Sequence, residues 1–368
     1  MVGLTVSHTG PVTDVPAQDW PEILSRLISG RDLSEAEAAA ALDDILGGSV
    51  PEAVIASFVT ALRAKGETTD EMTGLVRALR ERAVGVPVTG VVHDHLVDTC
   101  GTGGDRSGSI NVSTIAAFVV AGAGVPVCKH GGRASSSVAG SADVLEALGV
   151  VADLHPEGVA RCIEEAGIGF CFAPTFHPAM RYAVPVRRAL RVATVFNFLG
   201  PLANPARLRR QVIGVSDVAM AEKMIGVLEA NGALHAMVVY GHDGLDELST
   251  AGPSTVLETR LGEQGHERRE YEIDARELGL ARASSDQLRG GTPAQNAEHA
   301  RRVLAGELGP HRDIVLLNAA AGFVVAGRAT EMASALQMAE ESIGSGAAAA
   351  TLDKLVAVSS SQGAAERA

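Results

Sequence analysis

Near the start of the chain, four stretches repeat apolar residues at three- and four-residue spacing, the signature of amphipathic helices. In the first, about Trp20 to Ser29, Ile23, Leu24, Leu27 and Ile28 share one face and Gly30 supplies the stop. Ser34 with Glu37 opens the second as a capping box, and Gly47-Gly48 ends it. Ser49 with Glu52 predicts the same opening for the third, which buries Val54, Ile55, Phe58, Val59 and Leu62. Thr68 with Glu71 opens the fourth, with Met72, Leu75, Val76 and Leu79 inward. Four such helices make a thin bundle. Their stripes can close on each other or on a partner subunit, and the former is favoured.

After a Gly- and Pro-punctuated linker at Val84–Asp94 the pattern changes. Short apolar runs that read as strands (His95–Thr99, Val125–Cys128, Ile168–Phe172, Gln211–Val215, Leu234–Tyr240) alternate with helical stretches. Ser141 caps a helix carrying Val144, Leu145 and Leu148; further helices are expected at His155–Ala166, Phe176–Leu190 and Val218–Ala230. A hairpin is expected at Ser254–Ile273, then helices at about Thr292–Gly306, Arg312–Ala326 and Thr330–Ile343. This predicts an α/β protein. A small N-terminal helical domain (19–90, with part of 176–192 packing on it) precedes a larger α/β domain (91–358), whose central, mostly parallel sheet is flanked by helices. Residues 1–18 and 359–368 are polar and are expected to be disordered tails.

Composition narrows the partners. A chain of 368 residues can bury a sizeable core, and its net charge of −13 argues against a nucleic-acid platform. The same charge means that a bound polyphosphate would need bridging metal ions. Cys100, Cys128, Cys162 and Cys171 show no C-x-x-C spacing and sit among apolar residues, as buried reduced thiols do. No signal-peptide pattern opens the chain and no apolar run is long enough to cross a membrane, so a cytoplasmic location is expected.

Three motifs carry chemistry. In Cys100–Thr114, C-G-T-G-G-D-R-S-G-S-I-N-V-S-T, a strand, three glycines and a helix start stand in succession. Gly101, Gly103 and Gly104 allow bare N–H groups to approach a ligand, and Ser113 and Thr114 add hydroxyls where the helix dipole favours an anion. It is not a dinucleotide fingerprint, because Arg106 takes the third glycine's place, and it lacks the lysine of a Walker A loop. A tight βα turn that happens to be glycine-rich is an equal reading of G-T-G-G alone. Lys129–Ser137, K-H-G-G-R-A-S-S-S, follows a strand with two fixed cations and three hydroxyls, the makings of a second phosphate contact. His130 alone reads more readily as a hydrogen-bonded structural residue. Asp243, Asp246 and Glu247 follow the strand ending at Tyr240, where α/β sheets place ligands, and offer carboxylates to a hard cation. No catalytic triad, histidine metal pair or nucleophilic cysteine stands out. Catalysis by positioning and electrostatics is the expectation.

Taken together, D-T-C-G-T-G-G-D (98–105), N-V-S-T (111–114), K-H-G-G-R-A-S-S-S (129–137) and G-S-A-D-V-L-E-A-L-G (140–149) resemble the anthranilate phosphoribosyltransferases. So do F-A-P-T-F-H-P-A-M-R (172–181), V-R-R (186–188), F-N-F-L-G-P-L-A-N-P (196–205) and D-G-L-D-E (243–247), and the likeness runs from Trp20 to Leu355. The resemblance implies a hinge between the two domains, a homodimer through the helical one, and a role in tryptophan biosynthesis. It implies Mg²⁺, two ions per site, and transfer of a phosphoribosyl group from phosphoribosyl pyrophosphate to the amine of anthranilate, without a covalent enzyme intermediate. By resemblance, phosphoribosyl pyrophosphate is held by Gly101, Gly104, Asp105, Ser109, Asn111, Val112, Ser113, Thr114, Lys129, Ala134, Ser135, Ser136, Ser137 and Ser141. Ser113, Asp246 and Glu247 carry metal. Gly101, His130, Gly132, Pro174, His177 and Arg187 line the anthranilate side, with Arg187 on the carboxylate; Lys129, His130 and Arg187 do the positioning.

An aromatic amine is neutral at pH 7, so a mechanism of this kind needs no strong base. The family's loop commonly reads K-H-G-N-R, with its Asn on anthranilate. Gly132 stands there in this chain, a loss of about 1 kcal/mol of acceptor contact or the mark of a different acceptor. A paralogue acting on a substituted anthranilate and a pyrimidine nucleoside phosphorylase are the alternatives. The V-R-R and D-G-L-D-E motifs count against the latter.

Overall fold

The structure is a computed structural model that describes residues 18–134 and 138–368. Its first helix, α1 (Trp20–Ile28), is capped by the Asp19 carboxylate, which accepts from the Glu22 N–H at 3.1 Å. Capping boxes open α2 (Glu35–Gly47, Ser34 with Glu37) and α4 (Thr69–Glu81, Thr68 with Glu71). The helix between them, α3 (Glu52–Lys65), departs from expectation: its N-cap is Pro51, and no side chain caps it. Proline fixes its own φ and forces the preceding residue to be extended, so the helix cannot begin at Ser49. Glu71, fully buried, joins three helices by also accepting from the Leu33 N–H and Lys65 Nζ, each at 2.9 Å.

Seven strands form one sheet in the order β3-β2-β1-β4-β5-β6-β7. They are β1 (Val97–Gly101), β2 (Val127–Gly131), β3 (Ile168–Phe172), β4 (Arg210–Gly214), β5 (His235–Gly241), β6 (Ser254–Gly262) and β7 (Gly265–Ile273). The first five are parallel, and β6 and β7 add an antiparallel hairpin. Winding leaves β1 toward β2 and β3 on one side and toward β4 and β5 on the other. The switch point, where open α/β sheets bind ligands, lies at the C-terminal ends of β1 and β4. One face is covered by apolar helices, chiefly Val112–Gly122 and Pro310–Val325. On the other face Ile213, Val238 and Leu257 join Phe58, Leu62 and Leu75 of the bundle in a single uninterrupted core. At that seam Arg63 of α3 pairs with Asp217 and lies over the Phe198 ring.

Several expectations are corrected. Residues 359–368 are not a loose tail: the last helix runs Ala347–Arg367. Ser359 is fully buried and accepts from the Val151 N–H at 3.1 Å, and Glu366 accepts from the His155 N–H at 3.0 Å. Small and polar residues dock there through specific contacts that hydropathy cannot register. Residues 1–17 of the other expected tail lie outside the described residues. The basic stretch at 176–190 is not one helix. Pro174, Pro178 and Pro185 divide it into Ala173–Phe176, a 3₁₀ turn Pro178–Tyr182 and Val184–Leu190, ending at Arg191 with φ 54°. The linker contains a short helix, Gly90–Asp94. β1 and β2 both reach further toward the C-terminus than expected, so Lys129 and His130 are strand residues and not loop residues.

Candidate active site

Three glycine-dependent approaches build the phosphate side. A Cβ on Gly101, the last residue of β1, would stand 2.4 Å from Asp246 Oδ2, and one on Gly214, the last of β4, 1.6 Å from the Asp246 carbonyl oxygen. Only glycine at both strand ends lets the 243–247 turn fold over the switch point. Gly103, with φ 68°, turns its N–H onto Asp246 Oδ2 at 2.6 Å. The chain then reaches Asn111, the N-cap of helix Val112–Gly122, whose first turn points the Ser113 N–H at Glu247 Oε1, 3.0 Å away. A carboxylate thus occupies the positive end of an apolar helix.

Strand alternation then divides the labour on β2. Lys129 Nζ, with the residue 2% exposed, donates to the Thr99 carbonyl at 2.6 Å and lies 3.5 Å from Ser113 Oγ. His130 faces the other way. Its Nδ1 meets the Gly200 carbonyl at 3.0 Å, its Nε2 is buried without a partner, and its ring lies 5.0 Å from that of His177. Because a carbonyl can only accept, Nδ1 carries the proton and Nε2 is a bare acceptor. Burial, reinforced by His177, lowers His130 to about 3; burial also lowers His177 to about 4, the Ala203 backbone opposing. Both rings are neutral.

The carboxylates show the opposite strain. Burial, then the charges of Asp105 and Glu247, push Asp246 well above the usual range. Glu247 rises to about 7, again chiefly through burial, with Lys129 and Ser113 opposing. The set is all hard oxygen: two buried carboxylates, Asp105 close enough to repel them, and the Ser113 hydroxyl. That set fits a divalent cation such as Mg²⁺, whose charge relieves the repulsion and which takes its remaining ligands from water and phosphate. Among the described residues no cluster of three or more His, Cys, Asp or Glu side chains forms a complete metal cage.

Most of the residues expected at the site are brought together. Thr114 donates to Ser141 at 3.1 Å, and Ser109 accepts from the Ser107 hydroxyl at 3.1 Å. Gly104 has φ 89°, and Asp105 accepts from the Ser107 N–H at 3.3 Å. Val112 is buried beneath the loop. Ser135, Ser136 and Ser137 lie outside the described residues. The Ala134 N–H is held by Asp143 at 3.0 Å. Arg133 is engaged by Asp143 and Glu146 at 3.0 and 2.7 Å. On the acceptor side Pro174 opens the short helix after β3. Among the described residues Gly132 has only Ala173 Cβ within 4 Å of where its own Cβ would be, at 3.9 Å. Arg187 is largely buried, which lowers its pKa, and among the described residues no ion pair or hydrogen bond engages its guanidinium.

Asp98 and Asn204 were quoted in motifs but given no role. Asp98, fully buried, accepts from the His130 N–H at 3.3 Å and from Asn204 Nδ2 at 2.9 Å. Asn204 also donates to the Cys128 carbonyl at 2.9 Å, so the A-N-P turn braces β1 and β2 beneath His130. The presence of Asn204 between apolar residues was the only signal. All four cysteines are buried thiols.

Residues 93–349 match the glycosyl transferase family a/b domain and residues 21–83 its helical bundle domain. The anthranilate phosphoribosyltransferase of Roseiflexus castenholzii is 51% identical over 336 residues, 91% of this chain and 97% of that protein. The chain belongs to the anthranilate phosphoribosyltransferase family. The enzyme from Chloroflexus aggregans is 50% identical, over 92% of this chain and 98% of its own. The crystal structure of anthranilate phosphoribosyltransferase from Thermus thermophilus superposes with a TM-score of 0.85 at 43% identity, covering 92% of this chain and 99% of that one. The Saccharomyces cerevisiae enzyme in complex with phosphoribosyl pyrophosphate and Mg gives 0.84 at 27% identity, covering 93% and 98%. The same yeast enzyme in complex with 4-fluoroanthranilate gives 0.83 at 25% identity, over 95% and 99%. Membership makes this chain a transferase of pentosyl groups in tryptophan biosynthesis, and Mg²⁺ is bound within the family. The mostly parallel sheet with its helical N-terminal bundle is the family architecture.

Proposed function

We propose that the chain transfers the 5-phosphoribosyl group from phosphoribosyl pyrophosphate to the amine of anthranilate in a Mg²⁺-dependent reaction, giving N-(5-phosphoribosyl)anthranilate and pyrophosphate. The observation that carries this reading is the pair Asp246 and Glu247. These buried carboxylates are pressed against the glycine loop and the Ser113 N–H, with Lys129 2% exposed beside them. With the metal bound by Asp246, Glu247 and Ser113, two ions per site, its charge stabilises the departing pyrophosphate. The residues of the chain do the rest by placement. Gly101, Gly104, Asp105, Ser109, Asn111 and Thr114 hold the ribose and its phosphates, and Lys129 supplies fixed positive charge to the leaving side. The C1–O bond breaks through a cation-like ribose, and the amine nitrogen closes on C1 from the opposite face.

Arg187, a largely buried cation that has no counter-ion among the described residues, receives the anthranilate carboxylate. His130 Nε2 accepts an amine N–H and so orients the nitrogen lone pair toward the ribose. At about 3 its pKa keeps it from carrying a proton away at neutral pH, so the amine proton leaves to solvent after capture. Two copies pair through the helical domain, and the protein works in the cytoplasm. The decay of anthranilate fluorescence in the presence of phosphoribosyl pyrophosphate and Mg²⁺ is the test. Pure, folded protein that leaves the fluorescence unchanged refutes the assignment. A substituted anthranilate is the second reading, favoured by the open space over Gly132.

A further inference from the structure

The phosphate loop is held from behind by a strap, S-D-Q-L-R-G-G-T (285–292), that none of the three chemical motifs includes. Its chain runs from the 3₁₀ turn Ser285–Leu288 to the helix Pro293–Leu304. Ser109 pairs with Arg289 as an isolated antiparallel bridge. On either side, the Ile110 N–H donates to the Leu288 carbonyl at 3.1 Å and the Gly290 N–H to the Gly108 carbonyl at 2.8 Å. The approach is close enough to demand glycine: a Cβ on Gly290 would stand 2.5 Å from Asn296 Oδ1 and 2.9 Å from the Ser109 carbonyl.

Asn296, 2% exposed, ties this strap to the site. Its Oδ1 accepts from the Gly291 N–H at 2.7 Å, and its Nδ2 donates to Asn111 Oδ1 at 2.8 Å. Asn111 Nδ2 in turn donates to the Ala139 carbonyl at 3.1 Å. Each end of this relay is a backbone group of fixed polarity, so neither amide can flip without losing a bond. Asn296 is not occupied in starting its helix, because Thr292 and Gln295 already form the capping box there.

We propose that Asn296 is a positioning residue for phosphoribosyl pyrophosphate: it sets the polarity of the Asn111 amide and locks the phosphate loop to the Ala139 carbonyl. The inference rests on the reading of Asn111 as part of that substrate's site. It assigns Asn296 an effect on one substrate beyond its part in the packing, since the helix cap and the backbone rungs between loop and strap do not use its side chain.

Two variants and one coupling measurement test it in the full-length enzyme with Mg²⁺. Asn296→Asp keeps an acceptor for Gly291 and nearly the same volume, but sets an oxygen against Asn111 Oδ1. The KM and the calorimetric Kd for phosphoribosyl pyrophosphate should rise on the order of tenfold, with the KM for anthranilate within about twofold of wild type. If the Asp variant melts early, Asn296→Ala gives the same readout. Combining Asn296→Asp with Asn111→Ala should add less than about twofold to the Asn111→Ala effect, because the two act through one amide. An unchanged affinity for phosphoribosyl pyrophosphate, equal losses for both substrates, or fully multiplicative effects would each overturn the proposal. Wild-type protein that binds phosphoribosyl pyrophosphate but does not consume anthranilate would strike the proposed reaction alone, because the binding arm reads Asn296 independently.

Discussion

The two halves of the site are built on opposite plans. On the phosphate side nearly every polar group is already engaged: Gly103 on Asp246, Ser113 on Glu247, Lys129 on Thr99, Asn111 on Asn296. On the acceptor side the groups stand open. Among the described residues His130 Nε2 has no partner, Arg187 has no counter-ion, and Gly132 leaves space in front of Ala173. A highly charged ligand requires a cradle that costs little reorganisation, because each misplaced dipole counts heavily at low dielectric. A small aromatic acid can instead be captured by a few unsatisfied groups whose desolvation has already been met in folding.

Four measurements can break or sharpen that contrast. The largest effect belongs to the preformed side. Glu247→Gln removes a metal-facing charge and should lower kcat/KM for phosphoribosyl pyrophosphate on the order of a hundredfold or more, with anthranilate binding much less affected. A loss spread evenly over both substrates would erase the division. Next, Arg187→Ala should raise the anthranilate KM by roughly ten- to a hundredfold, the worth of a charge-assisted hydrogen bond, while leaving the phosphoribosyl pyrophosphate KM nearly unchanged. Steady-state kinetics with each substrate varied in turn checks both.

The third measurement uses pH. His130 and His177 have folded values of about 3 and about 4, below the ordinary 6.5. The unfolded chain therefore binds protons first as pH falls, and stability that is fully present above about 6.5 drains away on acidification. At pH 5.5 the loss is about 1 kcal/mol for each histidine. The raised Asp246 and Glu247 work in the opposite sense over the same range, so the histidine fall is read by comparing melting temperature against pH in wild type and variant. His177→Phe, which cannot titrate, should make that fall shallower; an unaltered slope would mean that His177 is not held neutral. Smallest is Gly132→Asn. Among the described residues its Cβ meets only Ala173, at 3.9 Å, so the variant should fold normally and lower the anthranilate KM about fivefold, on the order of 1 kcal/mol for one added amide contact. A raised KM would indicate an acceptor bulkier than anthranilate.

What was legible in the sequence follows the same division. The glycine loop, the helix start at Val112 and the D-G-L-D-E turn announce themselves, because tight backbone approach and clustered charge need particular residue types at short spacing. Capping boxes located α2 and α4 for the same reason. Lys129 and His130 were expected in a loop, since a buried strand end that carries a lysine contradicts the apolar rule; only the Thr99 carbonyl and Ser113, distant in sequence, explain it. Asp98, Asn204 and Asn296 leave almost no mark of their bonds in any local pattern. Each is a buried polar residue satisfied by groups far along the chain, and periodicity carries no record of such bonds. The last helix escaped for a related reason: Ser359 and Glu366 dock by hydrogen bonds to Val151 and His155, not by an apolar stripe.

The unbroken core linking the bundle to one sheet face bears on how the molecule can move and come apart. Phe58, Leu62 and Leu75 share their packing with Ile213, Val238 and Leu257, so one apolar core spans the two parts. Swinging them open would expose that apolar interface all at once. A closure over substrates that kept this interface packed would proceed by shear, side chains sliding past one another within their rotamer wells. The same continuity makes the two parts a single cooperative unit, whose deepest amides should exchange with solvent only on global unfolding.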